Sequence, residues 1–196
     1  MEATILSDAE IKAFLNAIPR DTPTGLRNRA FIVVLWRSQL RLAETLDLLP
    51  PDINIEEGLI RVRHGKGDKF RIVSGDEKEF AVIDEWLFER RQLGGRDDQP
   101  VFCKIKGRGE AGHFGDRLTS QSMQMWMKRI AKKAKINQRV HPHGWRHQGA
   151  FEMAKEGIPI VTISKQLGHT DIKTTQIYIN HLRPADLVEA MGKRKW

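Results

Sequence analysis

The sequence predicts a mixed fold that is mainly α-helical and contains a small antiparallel β-sheet. Apolar residues at helical spacing occur through most of the 196 residues. The period changes to alternation in GLIRVR and KFRIV, which flank the glycine-containing turn HGKGD. Alternation on both sides of a tight turn is typical of a β-hairpin. Because no internal repeat or low-complexity linker divides the chain, residues 1–196 are predicted to form a single domain.

Start and stop signals predict three helices before the hairpin. Ser7 and Glu10 form a capping box ahead of IKAFLNAI. Thr24 is expected to cap a largely buried second helix, GLRNRAFIVVLWRSQ. The third helix, LAETLDLL, is short because Pro50 and Pro51 cannot continue it.

After the hairpin the sequence predicts an amphipathic helix, a short strand and further helices. The helix is DEKEFAVIDEWLFERRQL, and the strand is VFC. The next helix has an apolar stripe that consists of Met123, Trp126, Met127, Ile130 and Ala134. Another side of that helix collects the polar residues Gln121, Gln124, Lys128, Lys132 and Lys135. The rest of the chain is predicted to be helical, with breaks near Pro142, Pro159 and Pro184.

The composition favours a partner rich in phosphate. The chain has 33 Lys and Arg against 25 Asp and Glu, a net charge of +8, as expected of a surface that meets nucleic acid. The single cysteine, Cys103, can form no internal disulfide. No apolar run is long enough to span a bilayer, and the first residues do not form a signal peptide. We therefore expect a cytoplasmic protein with no membrane partner.

The segment HPHGWRH, residues 141–147, contains three histidines and an arginine. Pro142 suits the first turn of a helix, so His143 and Arg146 should project from one face and meet one ligand. A zinc site is the alternative, because imidazoles at short spacing can share a metal ion. Against it, His141 precedes a proline, no carboxylate lies nearby, and Arg146 would repel a cation. No metal ligand is therefore assigned.

A second cluster follows in LGHTD and TTQIY. It contains His169 and Tyr178, and Tyr178 is the only tyrosine in the chain. A lone tyrosine is usually a packed residue with a satisfied hydroxyl group. The order and spacing of HxxR, LGHTD and TTxxY favour a functional set instead.

Together these motifs resemble the catalytic domain of the tyrosine recombinases, the phage-integrase family of site-specific DNA recombinases. The resemblance runs from SDAEIKAFL to the C-terminal segment. LRLAETLDL resembles the first arginine box, GKGDKFR the hairpin with the catalytic lysine, and PHGWRH, LGHTD and TTQIY the later boxes. The catalytic residues implied by these matches are Arg41, Lys66, His143, Arg146, His169 and Tyr178.

The resemblance implies phosphoryl transfer through a covalent enzyme intermediate. Tyr178 would attack the scissile phosphate to form a 3′-phosphotyrosine, while Arg41 and Arg146 hold the non-bridging oxygens with paired donors. Neither a metal nor another cofactor is needed for this clamp. Glu44 is expected to orient Arg41 or a neighbouring histidine.

Proton transfer would fall to the remaining residues of the set. His143 could act as a base or donor near the phenol, and His169 could donate to a phosphate oxygen. Lys66, on its hairpin, could protonate the departing 5′ oxygen.

The implied partner is double-stranded DNA, bound by protomers that assemble into a tetrameric synapse. Six polar residues on the predicted hairpin and on the polar side of the predicted helix that contains Met123 are candidate DNA contacts: Lys69, Arg71, Gln121, Gln124, Lys128 and Lys132. Residues 184–196 are expected to form a C-terminal helix that protomers exchange. The N-terminal core-binding domain of most relatives is expected to be absent from this chain.

Two positions depart from the family pattern. Gln39 stands where the family usually has glycine, so the turn before Arg41 could be altered. Trp145 stands where an aliphatic residue is common. Neither change removes a reacting group.

Three rival functions accompany this interpretation. A type IB topoisomerase uses the same nucleophile to relax DNA without exchanging strands. A non-catalytic DNA-binding regulator of the same fold would bind DNA without cleaving it. A zinc hydrolase built on the histidines of residues 141–147 is the most distant of the three.

Overall fold

The structure is a computed structural model that describes residues 5–63, 70–105, 114–169 and 171–180. The helices are α1 Asp8–Asn16, α2 Pro23–Arg37, α3 Leu42–Asp47, α4 Glu77–Gln92, α5 Ser120–Lys133, α6 Pro142–Lys155, α7 Ile160–Leu167 and α8 Lys173–Asn180. The strands are β1 Ile53–Asn54, β2 Leu59–Val62 and β3 Arg71–Ser74, and a 3₁₀ turn covers Pro50–Asp52. This architecture confirms the predicted fold class, mainly helical with a small antiparallel sheet.

Helix starts follow the predicted signals with one correction. The capping box of α1 is present, because the Ser7 hydroxyl accepts from the Glu10 amide and the Glu10 carboxylate accepts from the Ser7 amide. The cap of α2 is Thr22 rather than the predicted Thr24, and its Oγ1 accepts from the Gly25 amide at 3.1 Å. Pro23 explains the difference, since proline favours the first helical position and so moves the start of the helix forward.

The sheet has the order β1-β2-β3, and both pairs are antiparallel. Ile60 faces Val73 across the hairpin, and both side chains are buried, whereas the neighbouring pair Arg61 and Ile72 points to the opposite, exposed side. The predicted alternation is therefore confirmed. The two-residue strand β1 was not predicted, because so short a segment shows no period.

The predicted strand VFC is wrong. Val101, Phe102 and Cys103 are fully buried, but only one isolated antiparallel bridge forms among the described residues, between Cys103 and Arg117. The Val101 amide donates instead to the Leu48 carbonyl at 2.8 Å. Apolar character at this position reflects burial in the core rather than pairing along a sheet.

The core is built around α2. Residues on all its sides are buried, including Phe31, Ile32, Val34 and Leu35, and α2 packs against both α4 and α6. The apolar run from Ala30 to Leu35 covers more than one turn of α2, so this part of the helix is apolar on every side and belongs in the interior. In the described part of the chain no helix is long and apolar enough to cross a membrane.

A smaller apolar cluster lies between α6 and α7. It joins Ala150 of α6 to Ile163 and Leu167 of α7, with Met153, Ala154 and Ile158 packed against it. Helix α8 packs against α6 and α7. The last described helix is therefore held next to the helix that carries His143 and Arg146.

Candidate active site

The turn between α2 and α3 presents Arg41. Gln39 adopts a left-handed backbone with φ of 50°, and its Nε2 donates to the carbonyls of Trp36 at 2.9 Å and Arg37 at 2.5 Å. These bonds satisfy carbonyls at the end of α2 that have no partner within the helix. The Gln39 side chain thus stabilises a backbone conformation that glycine would favour. Arg41 follows two residues later as the N-cap of α3.

Arg146 is buried and is held by two backbone carbonyls. Its Nη1 donates to the Gln39 carbonyl, and its Nη2 donates to the Leu167 carbonyl at 2.5 Å. The side chain is only 3% exposed. It therefore connects the α2–α3 turn to the end of α7 and has little rotational freedom.

Glu44 ties the arginines together. Its Oε1 accepts from Arg41 Nη1 at 2.7 Å, and its Oε2 accepts from the Arg41 amide at 2.7 Å and lies 4.0 Å from Arg146 Nη1. Burial would raise the pKa of Glu44, but hydrogen bonds from Arg71 and the Arg41 backbone outweigh it and lower the pKa to about 2. The carboxylate is therefore ionised at neutral pH.

The side chain of Arg71, a candidate DNA contact in the sequence, pairs with Glu44 in the structure. Its Nη1 and Nη2 donate to the two oxygens of Glu44 at 2.9 and 2.8 Å, and its side chain is 12% exposed. The sequence had placed it among the DNA-facing side chains of the hairpin. The buried carboxylate of Glu44, which is remote in sequence, accounts for the inward orientation.

The two histidines of the predicted set lie close to the arginines and are both neutral at pH 7. Desolvation and then the charge of Arg146 lower the pKa of His143 below its ordinary value. The same causes, with Arg41 and Arg71, lower the pKa of His169 to about 4. A neutral imidazole donates from one nitrogen and accepts at the other, so both residues can act as hydrogen-bond donors to phosphate.

Each histidine is oriented by a neighbour that sequence reasoning had not selected. His143 Nε2 lies 2.5 Å from Nε2 of the buried His147, one turn along α6. His169 Nδ1 lies 2.9 Å from Oγ1 of Thr175, which is fully buried in α8. The i, i+4 spacing of the histidine pair was visible in the sequence, whereas the Thr175 contact depends on tertiary packing.

Of the predicted catalytic set, Arg41, His143 and Arg146 line a cleft of about 520 Å³. The residues that line it are Leu40, Arg41, Leu42, Ala43, Ser120, Gln124, Arg139, His141, Pro142, His143 and Arg146. Gln124 is thus a candidate DNA contact that reaches the cleft, and Arg139 is a lining cation that the sequence analysis missed. Arg139 lies outside any periodic segment, so no pattern singles it out.

The remaining candidate contacts lie on α5. Gln121, Lys128 and Lys132 are exposed, and the two lysines line an adjacent groove of about 350 Å³ with Lys135 and Arg139. Arg139 lines both the cleft and this groove. A basic surface therefore continues from the arginine cluster along α5.

The described residues include only part of the predicted set. Lys66, Lys69 and residues 184–196 lie outside the described residues. Tyr178 lies on α8, three residues after Thr175. Within the described ranges no group of three His, Cys, Asp or Glu side chains is placed to hold a metal ion.

Comparison with known proteins places this geometry in a family. Residues 4–184 match the model of the phage integrase family. The chain belongs to the phage integrase family. The tyrosine recombinase XerD of Pseudomonas aeruginosa is 33% identical over 180 residues, which are 91% of this chain and 57% of the relative. This integrase-family chain therefore spans little more than half the length of that relative.

Solved structures of family members show the same fold. A crystal structure of XerA recombinase superposes with a TM-score of 0.79 at 29% identity, covering 100% of this chain and 67% of that one. XerH site-specific recombinase, in a post-cleavage complex with a palindromic difH substrate, gives a TM-score of 0.74 at 27% identity and covers 97% of this chain and 53% of that one.

Proposed function

We propose that this integrase-family chain is the catalytic domain of a site-specific DNA recombinase that cleaves and rejoins strands through a 3′-phosphotyrosine. The observation that carries the proposal is the cluster of Arg41, Arg146 and the buried Glu44 at the cleft, with neutral His143 and His169 close by. The XerH structure is itself a DNA complex captured after cleavage, which supports DNA as the substrate of this chain.

The first step is recognition of the scissile phosphodiester. Arg41 is partly exposed at the cleft, with its side chain 30% accessible, and its position is set by Glu44. Arg146 is fixed by two carbonyls and so needs little reorganisation as charge develops on the phosphate. Donors fixed in this way stabilise a crowded pentacoordinate phosphorus more than they stabilise the ground state.

The second step is attack by the phenol of Tyr178. A phenol has a pKa of about 10, so it needs a base and a stabilised transition state at neutral pH. His143 takes or relays the proton, and His169 donates to a phosphate oxygen. Lys66 protonates the departing 5′ oxygen, so the new phosphotyrosine bond replaces the broken phosphodiester bond. The free 5′ hydroxyl of another strand then reverses the step.

Assembly is the third part of the proposal. Four protomers bring two DNA sites together, and residues 184–196 pack on the neighbouring protomer. The sequence of this tail has an apolar stripe, Leu187, Val188 and Met191, that a short helix must bury on another surface to be stable. Deletion of residues 184–196 should impair synapsis more than the binding of a single half-site, as light scattering on DNA-bound protein would show.

A type IB topoisomerase activity is the second candidate, because the same residues support nicking and resealing. Recombination is preferred because the relatives described above are recombinases. Relaxation of supercoiled plasmid that lacks a recombination site, at the rate seen on plasmid with one, would favour the topoisomerase.

Replacement of the nucleophile tests the proposal directly. Tyr178→Phe should abolish covalent attachment to nicked suicide duplexes that carry a recombination site of this chain. Non-covalent affinity should stay within a few-fold of wild type, because the hydroxyl group contributes little to backbone binding. Denaturing gels measure the adduct and mobility shifts measure the affinity. An adduct of undiminished yield in this variant would overturn the mechanism.

A further inference from the structure

Arg71 shares one carboxylate with the predicted arginine clamp. It is the first residue of β3, and both of its terminal nitrogens donate to Glu44, at 2.9 and 2.8 Å. Arg41 Nη1 reaches the same Oε1 atom at 2.7 Å, and Arg146 Nη1 lies 4.0 Å from Oε2. Three guanidiniums therefore surround a single carboxylate.

The route of the Arg71 side chain is fixed by the end of α7. A Cβ atom added to Gly168 would lie 2.9 Å from Arg71 Cδ and 3.0 Å from its Nε, so the arginine passes directly against this glycine. The Gln166 side chain accepts from the Ser74 amide at 3.3 Å and donates to the Ser74 carbonyl at 2.6 Å. Strand β3 is thus fastened to the segment that leads into His169.

The charge of the cluster depends on this third arginine. Three guanidiniums and one carboxylate leave two positive charges, while His143 and His169 are neutral at pH 7. A phosphodiester carries one negative charge, and further charge develops on its oxygens during attack. If Arg71 were removed, both oxygens of Glu44 would act on Arg41 and Arg146 alone, which would reduce their combined field at the phosphate.

We propose that Arg71 is a positioning residue that neutralises Glu44 from the side away from the substrate and so keeps the charge of Arg41 available to the scissile phosphate. The inference rests on the proposed function. It also links β3, which follows the segment containing Lys66, to the arginine clamp through a single buried ion pair. Arg71 itself makes no contact with DNA in this arrangement.

The test compares one pair of matched variants on two substrates. Arg71→Gln removes the charge and the forked ion pair. Arg63→Gln is the control, because Arg63 makes a similar two-bond pair with Asp52, at 2.6 and 2.7 Å, next to the same sheet but outside the cleft. The substrates are suicide duplexes with either a normal scissile phosphate or a methylphosphonate, which carries no negative charge.

On the normal phosphate, Arg71→Gln should slow adduct formation by about 10- to 100-fold, less than the loss of a donor that touches the oxyanion. On the methylphosphonate this deficit should shrink several-fold, since less charge needs to be stabilised. Arg71→Lys keeps the charge without the fork and should fall between wild type and Arg71→Gln. Arg63→Gln should match wild type on both substrates.

Three results would overturn the inference. Equal rates for Arg71→Gln and wild type would show that the ion pair is irrelevant to cleavage. An equal deficit on both substrates would assign Arg71 a structural role only. A deficit in DNA affinity, with the slope of log affinity against log salt reduced by about 1, would make Arg71 a direct phosphate contact.

A readout that needs no catalysis separates this inference from the proposed function. Arg71→Gln should shift acid unfolding to higher pH, because the hydrogen bonds of Arg71 lower the pKa of Glu44. The shift should disappear in a Glu44→Gln background. Failure of wild type to form any adduct would overturn the proposed function, whereas an unshifted acid transition would overturn the Arg71–Glu44 coupling.

Discussion

At the scale of single residues, Glu79 is a buried ionisable group that lies outside the cleft. It is 1% exposed in α4, accepts a hydrogen bond at Oε1 from Ser38, and Asp76 and Arg37 are its charged neighbours. Burial raises the pKa of Glu79 to about 8. The folded protein therefore keeps this proton at pH values where the unfolded chain has lost it.

We expect Glu79→Gln to stabilise the protein at alkaline pH. Between the ordinary value and the raised pKa the folded state binds more protons, so stability falls as the pH rises through that window. The raised pKa of Glu79 lowers the free energy of unfolding by at most about 5 kcal/mol at high pH. We expect Glu79→Gln to increase the free energy of unfolding by roughly 1–3 kcal/mol at about pH 8 and by almost nothing near pH 4. Urea unfolding at the two pH values measures it. The exposed Glu77, on the same helix, supplies the control Glu77→Gln. A gain of equal size at both pH values would mean that Glu79 is ionised in the folded protein.

Gln39 offers a second residue-scale prediction. Gln39→Gly and Gln39→Ala lose the same two side-chain bonds to the end of α2, and both must keep the φ of 50°. Only alanine has a Cβ atom that makes this φ unfavourable. Alanine should therefore be less stable than glycine by about 1 kcal/mol, because L-residues resist the left-handed region. Chemical denaturation compares them, and equal stability would show that the turn relaxes to negative φ.

At the scale of elements, α8 is held to His169 by one buried hydroxyl group. Thr175→Val removes the contact with His169 Nδ1 and keeps the shape of the side chain. We expect about 10-fold slower adduct formation with unchanged DNA affinity, since the imidazole that we propose as the donor to phosphate loses its orientation. Thr175→Ser should restore most of the rate. Thr174, exposed on the same helix, provides the control Thr174→Val. A rate unaffected by Thr175→Val would show that the Thr175 hydroxyl is not needed to orient His169.

The elements also show where sequence reasoning succeeds and where it stops. Periodicity and capping signals predicted the hairpin and most of the helices, because those patterns are local. The pairing of Arg71 with Glu44 joins residues 27 apart in sequence, and the His169–Thr175 contact depends on how α8 packs. Motif order selected Arg41, His143, Arg146 and His169; the structure places the first three at one cleft, and the charges of the arginines act on His169. Motif order did not select His147, although its i, i+4 spacing from His143 was visible in the sequence, and it could not select Arg139, whose place at the cleft arises from the tertiary fold.

At the scale of the whole molecule, the depressed histidine pKa values affect the dependence of activity on pH. Desolvation and the arginines lower the pKa of His169 to about 4 and that of His143 below its ordinary value. Adduct formation should therefore be nearly flat from about pH 6 to pH 8, with no inflection at the ordinary histidine pKa of about 6.5. A pH–rate series on suicide duplexes tests this, and a clear inflection near 6.5 would show that one histidine acts in its charged form.

The lowered pKa of His169 also makes the stability of the fold depend on pH. Because His169 is neutral in the folded state and charged in the unfolded state below its ordinary pKa, it stabilises the fold at higher pH, and this contribution is lost as the pH falls toward about 4. His169→Gln should flatten the stability profile in that window. Thermal unfolding across the acid range measures it, and an unchanged slope would place His169 in a solvated environment.

The small apolar cluster of Ala150, Ile163 and Leu167 is separate from the large core. We therefore expect the last helices to open locally more readily than α2. Helix α2 lies in the large core, whereas α7 rests on this smaller cluster and on hydrogen bonds of the Leu167 carbonyl and the Gln166 side chain, and the main packing partners of α8 among the described elements are α6 and α7. Amide hydrogens of α8 should therefore exchange with solvent much faster than those of α2, through sub-global opening rather than complete unfolding. Helix α8, which carries the proposed nucleophile Tyr178, would then open and close while the rest of the described structure stays folded, so docking of that nucleophile could be controlled separately from the integrity of the proposed phosphate site.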